Sequence, residues 1–331
     1  MLFGYTLAVM VGFLFTAGQN WSGQPTPKGP LLQALVLLWI AGRVLVLTPW
    51  VWISAVVNVA FPLASAAALA AALMRARNRR NYFFAGLLVL LGLAELVVHL
   101  SQAQVISVPA WLGLGLALDV VLFVMAVMGG RVIPMFTNNG VPGAMARRDL
   151  RLERAVLGSV VTLIVADALQ VNGLPLALLL AVCASAHAAR WLLWQPWKTL
   201  QTPLVWVLHA AYFWIPVHLA MRTLATLELV PSNLAVHALT VGAIGTLTIG
   251  MMTRTARGHT ARPLVADGWE VACYLFVLAA AVVRVLGPLV APSFYLRTVE
   301  VSAMLWSAGF TIFTVRYIPV LCLPRLDGRP G

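Results

Sequence analysis

The sequence predicts an all-α fold, a polytopic transmembrane helix bundle of about eleven helices. Of 331 residues, 61% are apolar and only 10% are charged, and mean hydropathy is +0.92. The apolar residues gather in runs long enough to cross a bilayer, which takes roughly 20 mostly apolar residues in a helix that satisfies its own backbone. Too few polar residues remain to make the watery surface of a soluble domain.

Runs of this kind occupy 1–18, 31–49, 50–74, 82–100, 108–128, 155–172, 174–193, 203–225, 231–252, 270–290 and 294–320. The first lacks a basic leading segment and a small-x-small cleavage site, so it reads as a span and not a signal peptide. The second and third meet at Pro49-Trp50, and the sixth and seventh at Asn172-Gly173, where the chain must turn within very few residues. Trp21, Trp50, Trp111, Trp191, Trp194, Trp197 and Trp269 fall near run ends, as an interfacial aromatic belt predicts. Residues 1–331 read as a single transmembrane domain, with 321–331 as a short cytoplasmic tail.

Cytoplasmic loops hold an excess of Lys and Arg. If the chain alternates sides, one side receives Lys28, Arg75, Arg77, Arg79, Arg80, Arg131, Arg147, Arg148, Arg151, Arg154, Arg190, Lys198, Arg254, Arg257, Arg262, Arg316, Arg325 and Arg329, which is 18 of the 22 cations. That sorting places the amino terminus outside and the carboxyl terminus in the cytoplasm. The net charge of +12 is then a matter of topology, and nucleic acid is not expected as a partner. Cys183, Cys273 and Cys322 form no CxxC or CxxCH pattern, so covalent haem attachment and a disulfide scaffold are both unsupported.

Charges at membrane depth are expensive and call for a reason. Arg284 and Glu300, on antiparallel neighbours, are expected to pair. Arg43 and Glu95 fall at similar depth, with Asp119 and Asp167 near the middle of their helices; they form either a mutually neutralising cluster or a proton or ligand path. Glu95 and His99 stand one turn apart on one helix face.

Five of six histidines, His99, His187, His209, His218 and His237, lie in predicted spans, and His259 lies in a cytoplasmic loop. Depth sorts them into two levels: His99, His218 and His237 toward the outer face, His187 and His209 toward the cytoplasm. Imidazoles at one depth on facing helices can clamp a porphyrin or hold copper. The candidate pairs are His218 with His237 and His187 with His209. Hydrogen-bonded structural histidines are the alternative.

Two blocks are more specific. One runs Gly130-Arg131-Val132-Ile133-Pro134-Met135-Phe136-Thr137-Asn138-Asn139-Gly140. The other runs His237-Ala238-Leu239-Thr240-Val241-Gly242-Ala243-Ile244-Gly245-Thr246 and continues through Met252-Thr253-Arg254 to Gly258-His259-Thr260-Ala261-Arg262-Pro263-Leu264. With Met1-Leu2-Phe3-Gly4-Tyr5, Asn20-Trp21 and Leu208-His209 followed by Tyr212 and Trp214, the chain resembles the NnrS family over nearly its whole length. The resemblance implies about twelve spans, haem and copper as cofactors, a bacterial inner membrane location, and a part in the nitric oxide response and denitrification.

By position, His209, His237, His259, Arg131, Arg254 and Arg262 match family motifs, while His99, His187 and His218 rest on geometry. The cofactor-binding candidates are His187, His209, His218, His237, His259, Arg254 and Arg262, and the metal candidates are His99, His209 and His237. Arg254, His259 and Arg262 can hold haem propionates or lipid headgroups. The small residues from Ala238 to Gly250 let their helix approach a neighbour or a flat porphyrin closely. Family members usually carry a further amino-terminal helix and a histidine- and glutamate-containing motif before the segment matching Met1-Leu2-Phe3-Gly4. Removing one helix from twelve gives eleven, so the expectation is a chain either naturally short or started at an internal methionine, with full cofactor loading in question if an outer-face ligand is missing.

The expected function is a haem-binding, and also copper-binding, membrane protein that limits nitrosative stress, with the lipid bilayer and nitric oxide as its partners and a redox partner unidentified. A haem–copper redox enzyme acting on a nitrogen oxide is one alternative. The other is a proton-coupled small-solute transporter using Arg43, Glu95, Asp119 and Asp167.

Overall fold

The computed structural model describes residues 2–328; Met1 and residues 329–331, with Arg329 and the end of the expected tail, lie outside the described residues. Eleven helices follow one another, with no strand among the described residues. They are α1 (Leu2–Ser22), α2 (Gly29–Leu45), α3 (Val51–Arg75), α4 (Phe83–Gln102), α5 (Ala110–Gly140) and α6 (Leu150–Ala168). The remainder are α7 (Leu174–Leu193), α8 (Pro203–Thr226), α9 (Ser232–His259), α10 (Gly268–Val290) and α11 (Tyr295–Cys322). Among the described residues, nine helices are long and apolar enough to cross a membrane. Of the other two, α2 is apolar but has only 17 residues, and α6 opens with Arg151, Glu153 and Arg154.

Each expected run became one helix, and both tight joints are present. Before α7, Gly173 takes φ 69°, which a residue without Cβ adopts freely. Two helices run further than hydropathy suggests. At 31 residues, α5 is about 46 Å long, well beyond a hydrocarbon core of roughly 30 Å. The block Gly130 to Gly140 is therefore helical throughout, with Pro134 inside it. Likewise α9 continues to His259, which is exposed at the helix end and not in a loop. Hydropathy reports where lipid contact ends, whereas the helix ends where its hydrogen bonds do. Within α9 the stretch Ala238–Gly245 is wound in wider, π-helical turns.

Two compact units divide the chain. The first comprises the sequence up to Val124 with Ile164–Gln170, and the second Met125–Leu163 with the sequence from Val171 on. In the first, α3 packs on α1, α2 and α4 around the fully buried Leu14, Leu69, Leu73, Phe84 and Leu88. Trp21 stacks on Phe84 at 5.1 Å between centroids. In the second, α7 packs on α8, α8 on α9, and α10 on α11. Leu37, Leu47, Val290 and Met304 are among many large apolar side chains left exposed, as a lipid-facing surface requires.

Residues of the expected aromatic belt, among them Trp50, Trp111, Trp197 and Trp269, are exposed. Trp194 departs from that expectation, because it is completely buried in the second unit. The small-residue stripe of α9 is filled by tryptophans: a Cβ on Gly242 would come within 2.4 Å of Trp214, and one on Gly245 within 2.2 Å of Trp306. There the stripe serves tight aromatic packing, one of the two uses expected of it.

A polar knot closes one end of the second unit. Asp267 caps α10, accepting from the backbone N–H of Trp269 at 2.9 Å and Glu270 at 3.4 Å, while Glu270 accepts from the Asp267 N–H at 2.6 Å. The same Glu270 accepts from Arg257 of α9 at 2.6 Å and from the Tyr317 hydroxyl of α11 at 2.7 Å. Partial burial alone would raise the Asp267 carboxyl, but its hydrogen bonds and the neighbouring Arg316 outweigh that and hold it below the usual carboxylate value of 3.8. An acid held low in the folded state stabilises it above its unfolded pKa and ceases to do so as pH falls through the folded one. Replacing Asp267 by Ala should therefore cost about 1 kcal/mol at neutral pH. In detergent melts, the difference from the wild type should fade as pH falls below 3.8.

Candidate functional site

The best-defined polar site lies inside the second unit, where α5, α6, α7 and α8 each supply one face. Helical spacing aligns Ala126, Gly130, Ile133 and Thr137 on α5, His187 and Arg190 on α7 with Trp194 as its C-cap, and His209 and Tyr212 on α8. Its centre is Arg190, 1% exposed. The sequence reading counted Arg190 among cytoplasmic loop cations, but it is buried in the last turns of α7.

Arg190 grips Glu153 of α6 with two parallel bonds, Nε to Oε1 at 2.9 Å and Nη2 to Oε2 at 2.7 Å. Its Nη1 donates to the Ala126 carbonyl at 2.9 Å and to the Tyr212 hydroxyl at 3.0 Å. The guanidinium also lies against the rings of Trp194 and Tyr212, at 5.0 and 5.8 Å from their centroids. Gly130 explains itself here, because a Cβ at that position would stand 1.4 Å from Arg190 Nη2. Planarity and five donors make Arg the side chain able to satisfy all these partners at once.

The network favours one tautomer in each of two histidines. A guanidinium can only donate, so the Tyr212 oxygen accepts from Arg190 and its own proton goes to His187 Nδ1, 2.8 Å away. Neutral His187 then carries its hydrogen on Nε2. Thr137 donates its one hydroxyl proton to the Ile133 carbonyl at 2.8 Å, so the bond of 2.8 Å between its oxygen and His209 Nε2 is donated by the histidine. His209 is left with its lone pair on Nδ1. His187 Nε2, His209 Nδ1 and Trp194 Nε1 are all buried without a hydrogen-bond partner. The rings form one aromatic cluster: His187 to Tyr212 at 5.7 Å, Tyr212 to Trp194 at 4.6 Å, and Trp194 to His209 at 6.4 Å.

The other candidates are placed differently. His218 is buried and donates from Nδ1 to the Ala235 carbonyl at 2.7 Å. His237 is half-buried and its Nε2 accepts from Arg284 Nη2 at 2.9 Å, so that lone pair is already engaged. The expected Arg284–Glu300 pair is absent: Glu300 is exposed and pairs with Arg297 at 3.0 Å, one turn away on its own helix. Arg254 lies 3.7 Å over the Phe136 ring, and Arg262 has its Nη1 enclosed without a partner. In the first unit, Arg43 and Glu95 do meet, at 3.8 Å, with Arg43 hydrogen-bonded to Asn58. His99 is half-buried one turn from Glu95, and Asp119 is buried. Among the described residues, no three His, Cys, Asp or Glu side chains come together as a metal-holding group.

Sequence reasoning passed over Glu153, Tyr212 as a tautomer-setting group, and Glu270. The usable signal for Glu153 was an acid set between Arg151 and Arg154 at the start of an apolar run, one turn after Asp149.

Fold and site together define a multi-pass helical membrane protein with a buried, charge-anchored histidine and tryptophan cluster. The sequence profile of the NnrS protein family matches residues 1–325, and the chain belongs to that family. Among curated proteins, none matches the sequence.

Burying a guanidinium is tolerable only with its partners in place. Gly130→Ala, Arg190→Met and Glu153→Leu should each cost about 3–5 kcal/mol in detergent unfolding, the range for breaking one side of a buried ion pair. The Glu153→Leu/Arg190→Met double variant should be milder than either single change, because no buried charge is left alone; Arg148, which also reaches Glu153 at 3.5 Å, is exposed.

Proposed function

We propose that this chain is a haem-binding membrane protein of the nitric oxide response, with copper as a second metal, that lessens nitrosative stress by holding nitric oxide. Family membership supports a role in the nitric oxide response. The observation that carries the rest is the cluster of three enclosed, unpartnered nitrogens on His187, His209 and Trp194. Each such group costs about 1–3 kcal/mol if nothing meets it, and three in one ring cluster point to a guest.

The donor chemistry suits a haem. One nitrogen of His209 is fixed by Thr137 and the other offers a lone pair, the division of labour found at metal-ligating histidines. His187 presents an N–H and acts as a hydrogen-bond donor to whatever is bound. Haem, when bound, supplies an iron centre that can take a diatomic ligand. The protein's part is to exclude water, with Trp194 and Tyr212, and to orient the two imidazoles, His187 through Tyr212 and Arg190 and His209 through Thr137. Arg254 and Arg262 are the side chains assigned to carboxylate groups. The location is the bacterial inner membrane, with the amino terminus periplasmic and the carboxyl terminus cytoplasmic, as the sorting of cations favours.

Protein purified with haem should show a Soret band that collapses in His209→Ala and keeps its intensity with a shifted maximum in His187→Ala. Full, unshifted absorbance in both variants would remove this cluster as the haem site.

A second reading, proton-coupled transport, is favoured by the first unit. There the part-exposed Arg43 meets the buried Asn58 and Glu95, and Glu95 Oε2 has no hydrogen-bond partner. Haem-free proteoliposomes should then show a substrate-dependent proton flux that Glu95→Gln abolishes; an unchanged flux in that variant would sink it.

A further inference from the structure

Arg284 is a cation without a counter-ion. No carboxylate lies within ion-pair distance of it among the described residues, since the nearest in sequence logic, Glu300, is turned outward to Arg297. Its contacts are neutral: Nη2 donates to His237 at 2.9 Å, and the guanidinium lies 5.8 Å from the Tyr295 ring centroid. Because Arg284 can only donate, His237 accepts through Nε2 and is uncharged. Nη1 is enclosed and bonded to nothing. A half-buried guanidinium whose free amine points at no acceptor is electrostatically unfinished.

The location is near helix ends. Arg284 is six residues from the end of α10 at Val290 and His237 five from the start of α9 at Ser232, so both lie roughly 8–9 Å inside their helix ends. Tyr295 opens α11 and is 37% exposed. Residues near three helix termini thus meet around the Arg284 guanidinium, apart from the Arg190 cluster.

We propose that Arg284, oriented by His237, is the seat of an oxyanion site. The ligand is a small anion carrying its charge on oxygen, either a free inorganic oxyanion or the phosphate of a lipid headgroup, bound at Nη1. His237 here is a positioning residue: it holds Nη2 and leaves Nη1 to the anion. The proposal does not depend on haem, and the test can be run without it.

The full chain, delipidated in a neutral maltoside detergent, would be titrated with sodium nitrite and with sodium phosphate at constant ionic strength, reading the melting temperature. In parallel, retained phosphatidylglycerol would be measured by native mass spectrometry from nanodiscs containing it. A saturable stabilisation by the salts identifies a free oxyanion, and lipid retained in stoichiometric amount identifies a headgroup; either supports the site. Arg284→Gln should weaken the response about tenfold or more, a change of about 1.4 kcal/mol per factor of ten. If Arg284→Gln does not fold, Arg284→Lys serves instead, keeping the charge without the planar fork and weakening binding less, and His237→Gln should weaken it while the Soret band of the haem-loaded protein stays at its wild-type position. Wild-type affinity for the salts and unchanged lipid retention in the folded Arg284 variant, or no response to any of these probes in the wild type, would overturn the proposal.

Discussion

Much of the second unit depends on one guanidinium. Arg190 sits where water cannot reach it, and each of its neighbours is placed to make that tolerable: a carboxylate in fork geometry, a backbone carbonyl, a phenol and two aromatic faces. The constraint propagates outward. Gly130 must lack a side chain, α6 must begin with a buried acid despite its surrounding cations, and Tyr212 must spend its proton on His187. Four helices are thereby held in one register by a single polar centre, in a setting where apolar packing alone discriminates poorly between neighbours and lipid.

The functional cluster grows out of the same constraint. In each imidazole one ring nitrogen is engaged by a hydroxyl and the other is enclosed without a partner. The groups that define them, Thr137 and Tyr212, are themselves oriented by backbone or by Arg190. Such layered support is what keeps a buried site at fixed geometry when its occupant changes.

The helices were legible because crossing lipid imposes a length and a composition that nine of the eleven helices meet among the described residues, α2 and α6 showing as apolar runs all the same, and even the tight joints at residues 46–50 and 169–173 were marked by proline and glycine. The ends of α5 and α9 were not, since Thr137 and Thr253 can return their hydroxyls to carbonyls one turn back and let a helix continue past the apolar zone. Histidines could be found by type but not by role, because role depends on which neighbour donates. The pairing of Arg284 with His237 in place of Glu300 shows the limit of depth arithmetic: it fixes height along a helix and says nothing about the direction a side chain faces. Arg190 was misplaced for the same reason, a charge near a helix end being read as a loop charge.

The wide turns between Ala238 and Gly245 have a geometric consequence for α9. Each turn there takes up more residues than an α-turn, so the angular phase of the helix slips across this stretch. The half bearing His237 and the half bearing Arg257 therefore aim at directions that a uniform helix could not combine, one toward Arg284 and the other toward Glu270. Helix α9 thus behaves as a two-faced connector whose ends are tuned independently, and a single inserted or deleted residue in the wide stretch would rotate one end out of its contacts while leaving the other undisturbed.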